Sequence, residues 1–231
     1  KLNNMAFRRG PNIITDGLVA YFDAANPKSY PGSGTNWRDI ISNNNGVLTN
    51  GPTYSSDQKG KLIFDGTNDY VDGDPASNYI TNTSGITVAL WCRPDAVGVY
   101  KKIVTTGTPA SVIQGIYFSM GSSPYNTYFG LQLGGTNRSV ISTTDLSTTE
   151  FNYLVGTYNG STMKVYLNDT LLNSANYSGT IGTGGDLRIS GYWNGNETWD
   201  GDIATCQFYN RDLSLEEVQQ NYNNTKSRFG L

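Results

Sequence analysis

The 231-residue chain has no histidine, and that absence excludes Ser-His-Asp and Cys-His catalysis, imidazole zinc sites and a histidine pH switch together. Cysteine is nearly missing: Cys92 and Cys206 are the only two. They could form one disulfide, but each falls in a strand-like run where a thiol behaves as a small hydrophobe, so buried free thiols are expected. Charge is sparse as well, at 15% of residues with a net of -3, and Lys1, Arg8 and Arg9 form the only basic cluster along the sequence. Such a balance offers no chain-wide attraction to phosphate backbones, so nucleic acid is not an expected partner. No apolar run approaches the roughly 20 residues needed to cross a bilayer, and membrane insertion is not expected either.

With 37% hydrophobic residues, Gly, Ser, Thr, Asn and Tyr must cover much of the surface. The length suits one all-β domain with a substantial core. Residues 1–12, KLNNMAFRRGPN, have no period and end in Gly-Pro. They read as an extended arm: either a disordered terminus or a docking segment with Phe7 as apolar anchor and Arg8 and Arg9 as ion-pair donors. Residues 13–231 read as the domain.

Strand-like runs recur every ~8–12 residues with turn signals between them, the pattern of a sandwich. The first spans 17–22, and a Gly-, Pro- and Asn-rich connection follows to Tyr54. In 86–93, Ile86, Val88, Leu90 and Cys92 alternate with Thr87, Ala89 and Trp91, so both faces are apolar, as in a central strand with its outer side covered. Runs at 152–158 and 162–167 meet at Asn159-Gly160, a type I′ hairpin signal, and Asn168-Asp169 marks a second reversal. In 203–209, Ala204, Cys206 and Phe208 are expected on one face. Ser214 and Glu217 then form a capping box with Leu213 and Val218 as its staple. The helix that follows should turn Leu215, Val218 and Tyr222 onto the sheet.

Three ordered motifs carry a resemblance: FDGTNDYV at 64–71, ITVALWCRP at 86–94, and GDIATCQFYNRDLSLEEV at 201–218. Together with GLVAYFDAANPKSYPGSGTNWRDI near the start, they resemble laminin-G-like domains of the concanavalin A-like lectin/glucanase superfamily over residues 13–231. The resemblance implies a jelly-roll sandwich of two antiparallel sheets with one short C-terminal helix. The segments DAANPKSYPGSGT and NYNNTKSRFGL are further similar to lectin-fold proteins on tailed-bacteriophage particles. That similarity implies a virion surface structural or decoration protein, docked on other virion proteins or copies of itself. Extracellular carbohydrate binding or adhesion is the alternative setting.

The resemblance also implies where calcium would sit, at Asp23, Asp65 and Asp69. The acid expected after the Ile of the closing strand is Ala204 here, with Asp202 as substitute. Hard loop oxygens suit Ca²⁺, while the alternative is that these aspartates close Asx turns. The glucanase branch would place Glu and Asp at E-x-D-x-E on one strand; the four glutamates, Glu150, Glu197, Glu216 and Glu217, show no such alternation. Asp200 and Asp202 are the nearest pair, and a non-enzymatic protein is expected.

The clearest ligand candidate is the loop Tyr192, Trp193, Asn194, Gly195, Asn196, Glu197, Thr198, Trp199, Asp200. Flat rings interleaved with amides fit sugar faces and hydroxyls, so Tyr192, Trp193, Asn194, Asn196 and Trp199 are candidate contacts for a cell-surface carbohydrate, with Tyr125 a further one. The competing reading is that Trp193 and Trp199 plug the open end of the sandwich.

Overall fold

The computed structural model describes residues 13–97, 100–111, 113–121, 127–193, 195 and 197–231. Along the chain run β1 (Leu18–Asp23), β2 (Asn36–Arg38), β3 (Asn45–Thr49), β4 (Thr53–Ser55), β5 (Lys61–Asp65), β6 (Tyr70–Pro75), β7 (Ile86–Pro94) and β8 (Lys101–Gly107). Then come β9 (Ile116–Met120), β10 (Thr127–Leu133), β11 (Thr136–Ser142), β12 (Asn152–Tyr158), β13 (Thr162–Leu167), β14 (Thr170–Asn176), β15 (Asp186–Ile189), β16 (Asp200–Tyr209) and α1 (Leu215–Thr225). One sheet has the order β14-β13-β12-β7-β16-β5-β4, with β1 also on β16; the other runs β11-β10-β9-β8-β15-β6-β3-β2. Every pairing is antiparallel. This is the expected two-sheet jelly roll with one short C-terminal helix.

Between the sheets lies one large apolar layer that includes Phe22, Trp37, Phe64, Phe118, Trp199 and Phe208. A second cluster covers the outer face of the β7/β16 sheet, where Trp91 stacks on Phe229 at 4.3 Å and on Tyr222 at 5.7 Å. The two apolar faces of β7 are thus explained: one meets the opposite sheet, the other the helix. Cys92 and Cys206 are buried free thiols, and burial raises both thiol pKa values.

Three local expectations change. Between Ile203 and Thr205 the β16–β7 register shifts, so Ile203 joins Cys206 and Phe208 in the central layer while Ala204 turns outward. Leu215 is exposed, and Asn221 takes a place on the sheet beside Val218, accepting from Ile14 N–H at 2.7 Å and donating to Tyr209 Oη at 3.1 Å. The capping box itself forms, with Ser214 N–H donating to Glu217 at 2.9 Å and Glu217 N–H to Ser214 at 3.3 Å. At the β12–β13 turn only Gly160 has positive φ (92°), so the turn is not type I′; the Asn159 amide oxygen accepts from Ser161 and Thr162 N–H instead.

The other sheet keeps its outer face free of helix. Its register aligns Asn36, Val47, Asp72, Arg188, Thr105, Tyr117, Gly130 and Ser139 across all eight strands on that face. A neighbouring row carries Lys102, Ser119, Tyr128 and Ile141.

Candidate glycan-binding face

Alternation makes this surface. In β9, Ile116, Phe118 and Met120 point into the core, which leaves Tyr117 and Ser119 on the outside. Tyr117 lies flat across Gly130 on β10, where an added Cβ would stand 1.9 Å from its ring, and its hydroxyl donates to Arg138 O at 2.9 Å. Glycine at 130 is what lets the ring lie down on the sheet.

The segment between β15 and β16 folds back along β8. Ser190 N–H donates to Ile103 O at 2.8 Å, Gly191 N–H to Lys102 O at 3.1 Å, and Lys102 N–H to Glu197 O at 2.7 Å. This clamp puts Tyr192 and Trp193 over the outer face. The Arg188 guanidinium lies 3.8 Å from the Tyr70 ring centre and 4.2 Å from that of Trp193, while its N–H groups donate to Asp72 and to Tyr192 O at 2.9 Å each. Tyr70, Tyr100, Tyr128, Tyr192 and Trp193 are all half-buried.

Beneath them Lys102 is fully buried. Its ammonium donates to Tyr100 Oη and Ser119 Oγ at 2.9 Å each and sits 4.1 Å from the Tyr100 ring centre and 4.5 Å from that of Tyr192. The Glu197 carboxylate is 3.8 Å away, an ion pair beyond hydrogen-bond reach. Burial lowers the Lys102 pKa to about 8, more than the nearby carboxylate restores, and burial likewise raises that of Glu197. Glu197 has φ of 57°, a left-handed backbone unusual for glutamate, so the position is held by its surroundings. Lys102 is thus a cationic post under an aromatic rim.

Tyr192 and Trp193 therefore occupy the candidate surface. Trp199 does not: it is 0% exposed within the central core, where no sugar can reach it, and it plugs the sandwich as the competing reading held. Asn194, Asn196 and Tyr125, and the arm residues Phe7, Arg8 and Arg9, lie outside the described residues. Tyr70, Tyr100, Lys102, Tyr117, Tyr128 and Arg188 were missed; the period-two alternation of 116–120 was the signal for Tyr117, and nothing local marks Lys102 as buried.

The four aspartates suggested for calcium do not converge. Asp23 pairs with Arg228 at 2.7 Å and accepts from Ala25 N–H at 2.9 Å. Asp65 closes an Asx turn with Thr67 N–H at 2.8 Å, and Asp69 accepts from Asp65 N–H at 3.2 Å. Asp202, on the outer side of the other sheet, is held by Lys61 at 2.9 Å and Arg93 at 2.6 Å. Cations hold Asp23 and Asp202, and among the described residues no group of three acidic, His or Cys side chains forms a metal cage. The same ion pairs occupy Asp202 as a partner for Asp200.

Two clefts lie away from the aromatic cluster. One, of about 210 Å³, opens beside the Asp23–Arg228 pair, with Lys59, Thr225 and Ser227 on its walls. The other, of about 250 Å³, lies between residues 27–35 and β2.

The sequence model described as the concanavalin A-like lectin/glucanases superfamily matches residues 65–219. No curated protein matches the sequence. Among solved structures, domain 4 of AbnA, a GH43 extracellular arabinanase from Geobacillus stearothermophilus in complex with arabinotriose, superimposes with a TM-score of 0.69 at 14% identity, covering 89% of this chain and 98% of that one. The receptor binding domain of a botulinum neurotoxin C/D mosaic serotype gives 0.71 at 14% identity over 91% of this chain and 52% of that one. The Trypanosoma rangeli sialidase in complex with sialic acid gives 0.69 at 14% identity, over 94% and 34%. At such identity the likeness is one of fold, and the chain spans about half of the toxin domain and a third of the sialidase.

Proposed function

This chain belongs to the concanavalin A-like lectin/glucanases superfamily, and from that membership we propose that it is a non-enzymatic glycan-binding domain whose contact surface is the open β6/β15/β8/β9/β10 face. The observation that carries the reading is the asymmetry of the two sheets: one outer face is sealed by α1 and the C-terminal residues, while the other displays half-buried Tyr70, Tyr100, Tyr128, Tyr192 and Trp193 among hydroxyls and ion-paired charges. Rings with one free face and polar neighbours stack on sugars without needing a deep pocket. The arabinotriose complex of a domain that this chain covers almost entirely lends support from the same fold. The two carboxylates beside the aromatic rings, Asp72 and Glu197, are each paired with a cation, which suits binding better than proton transfer. A glycan array read with wild type and Trp193→Ala tests the reading. The variant should lose its hits while keeping its melting temperature within a few degrees; an array blank for wild type would overturn it.

The setting we propose is the virion surface, with other virion proteins or copies of this chain as neighbours. The similarity of DAANPKSYPGSGT and NYNNTKSRFGL to phage-particle proteins and the low-charge surface support it. Deleting residues 1–12 should abolish incorporation into particles while the domain stays folded; unchanged incorporation would remove the docking role of Phe7, Arg8 and Arg9.

A further inference from the structure

Lys28 and Arg38 are ten positions apart and unremarkable in sequence, yet both line the 250 Å³ cleft beside β2. The loop that brings them together is pinned. Ser29, itself buried, accepts from Asp23 N–H at 3.0 Å and donates to Arg38 O, and Arg38 N–H donates back to Ser29 O at 2.9 Å. Further along, Tyr30 donates to Gly34 O at 2.8 Å and packs on Tyr54 at 5.4 Å between ring centres. The walls are therefore set before any ligand arrives.

What remains free in the cleft is of one kind. The Ser33 and Thr35 hydroxyls and the Asn36 amide have no partner among the described residues, nor do the Lys28 ammonium and Arg38 guanidinium, and no carboxylate lines it. Lys61, Arg93, Lys102, Arg188, Arg211 and Arg228 each hold a carboxylate, whereas Lys28 and Arg38 are among the cations that hold none, in a chain whose net charge is -3. Two acids of β6 stand outside the lining: Asp72, in the register row of Asn36, holds Arg188 at 2.9 Å, and Asp74 accepts from Asn45 N–H at 2.8 Å. Asn36 shares the outward register row of Arg188, three strands away, or about 14 Å at the usual strand spacing.

We propose that this cleft binds an oxyanion, the sulfate or carboxylate substituent of a glycan whose rings lie on the neighbouring aromatic face. The planar guanidinium and the ammonium supply charge-assisted donors, and the two hydroxyls and the amide complete the shell. The glycan part rests on the function proposed above; the anion part does not.

The test has two readouts, in wild type and in Lys28→Ala/Arg38→Ala. Inorganic sulfate is titrated while the amide resonances of residues 33–38 are followed, and retention is measured in gels containing dextran sulfate, polygalacturonate or neutral dextran. Wild type should shift at 33–38 and prefer a polyanion to dextran; the double variant should lose the shifts and bind that polyanion about tenfold more weakly, with its melting temperature unchanged because both side chains are exposed. Dextran sulfate and polygalacturonate tell the sulfate from the carboxylate. No shift at 33–38, or equal polyanion retention by the double variant, overturns the proposal. Sulfate shifts that persist in Trp193→Ala, with polymer retention also unaffected, would uphold the cleft and count against the aromatic face.

Discussion

Replacing Lys102 by Met removes an ammonium buried under the aromatic rim and leaves a chain of similar length, so the cost of its charge can be read directly. In the folded protein the group releases its proton at about 8, against 10.5 in the unfolded chain. A lowered lysine pKa means that the unfolded state holds more protons between those values, so the wild type gains stability as pH rises through that window. At full charge the penalty is on the order of 3 kcal/mol. Between pH 7 and pH 9.5 the proton-binding difference integrates to about 2 kcal/mol recovered by the wild type and not by the variant. Urea unfolding of both proteins at the two pH values measures it. Taking the difference between them cancels Tyr100 and Tyr192, whose shifts owe nothing to Lys102, and making both proteins in a Glu197→Gln background removes the one carboxylate coupled to it. The stability of Lys102→Met relative to wild type should fall by about 2 kcal/mol from pH 7 to pH 9.5. An offset that does not change with pH would refute the charged, desolvated post, and with it the account of what holds Tyr100 and Tyr192 in place.

Trp199→Ala should destabilise the domain by about 3–5 kcal/mol in a denaturant titration, as expected for a fully buried indole; a loss below 1 kcal/mol would return that residue to the surface. Asp202→Ala leaves Lys61 and Arg93 without their shared carboxylate and should cost about 3–5 kcal/mol, with no effect on glycan retention because it lies on the other sheet. Ser214→Ala breaks the capping box and should cost about 1 kcal/mol, read as a lower urea midpoint with the slope unchanged.

Much of the sandwich was legible wherever a single strong local pattern had no competitor. The double apolar alternation of 86–94 announced a strand covered on both sides, and Ser214 with Glu217 announced the helix start. The bulge at Ile203–Thr205 was invisible because alternation fixes a face only while the register runs unbroken, and one extra residue turned Ala204 outward. Asn221 displaced Leu215 at the helix contact because it meets the Tyr209 hydroxyl and Ile14 N–H, partners far away in the chain. The loop at 192–200 was found by its aromatic content, but composition does not tell a plug from a contact, and only packing separated Trp199 from Trp193. Lys102 and Arg188 belong to pairings between distant strands, and the Lys28–Arg38 cleft to a loop whose closure is made by Ser29 hydrogen bonds; a single sequence carries no local sign of either.

The four tryptophans allow one direct measurement of the central claim. Each indole N–H gives its own resonance, and Trp37, Trp91 and Trp199 are buried while Trp193 lies half-open on the aromatic face. Titrating the protein with the glycan returned by the array should move the Trp193 indole resonance and leave the other three in place. Movement of the Trp91 resonance, beneath the C-terminal helix, with Trp193 unmoved would contradict it and place binding on the opposite sheet.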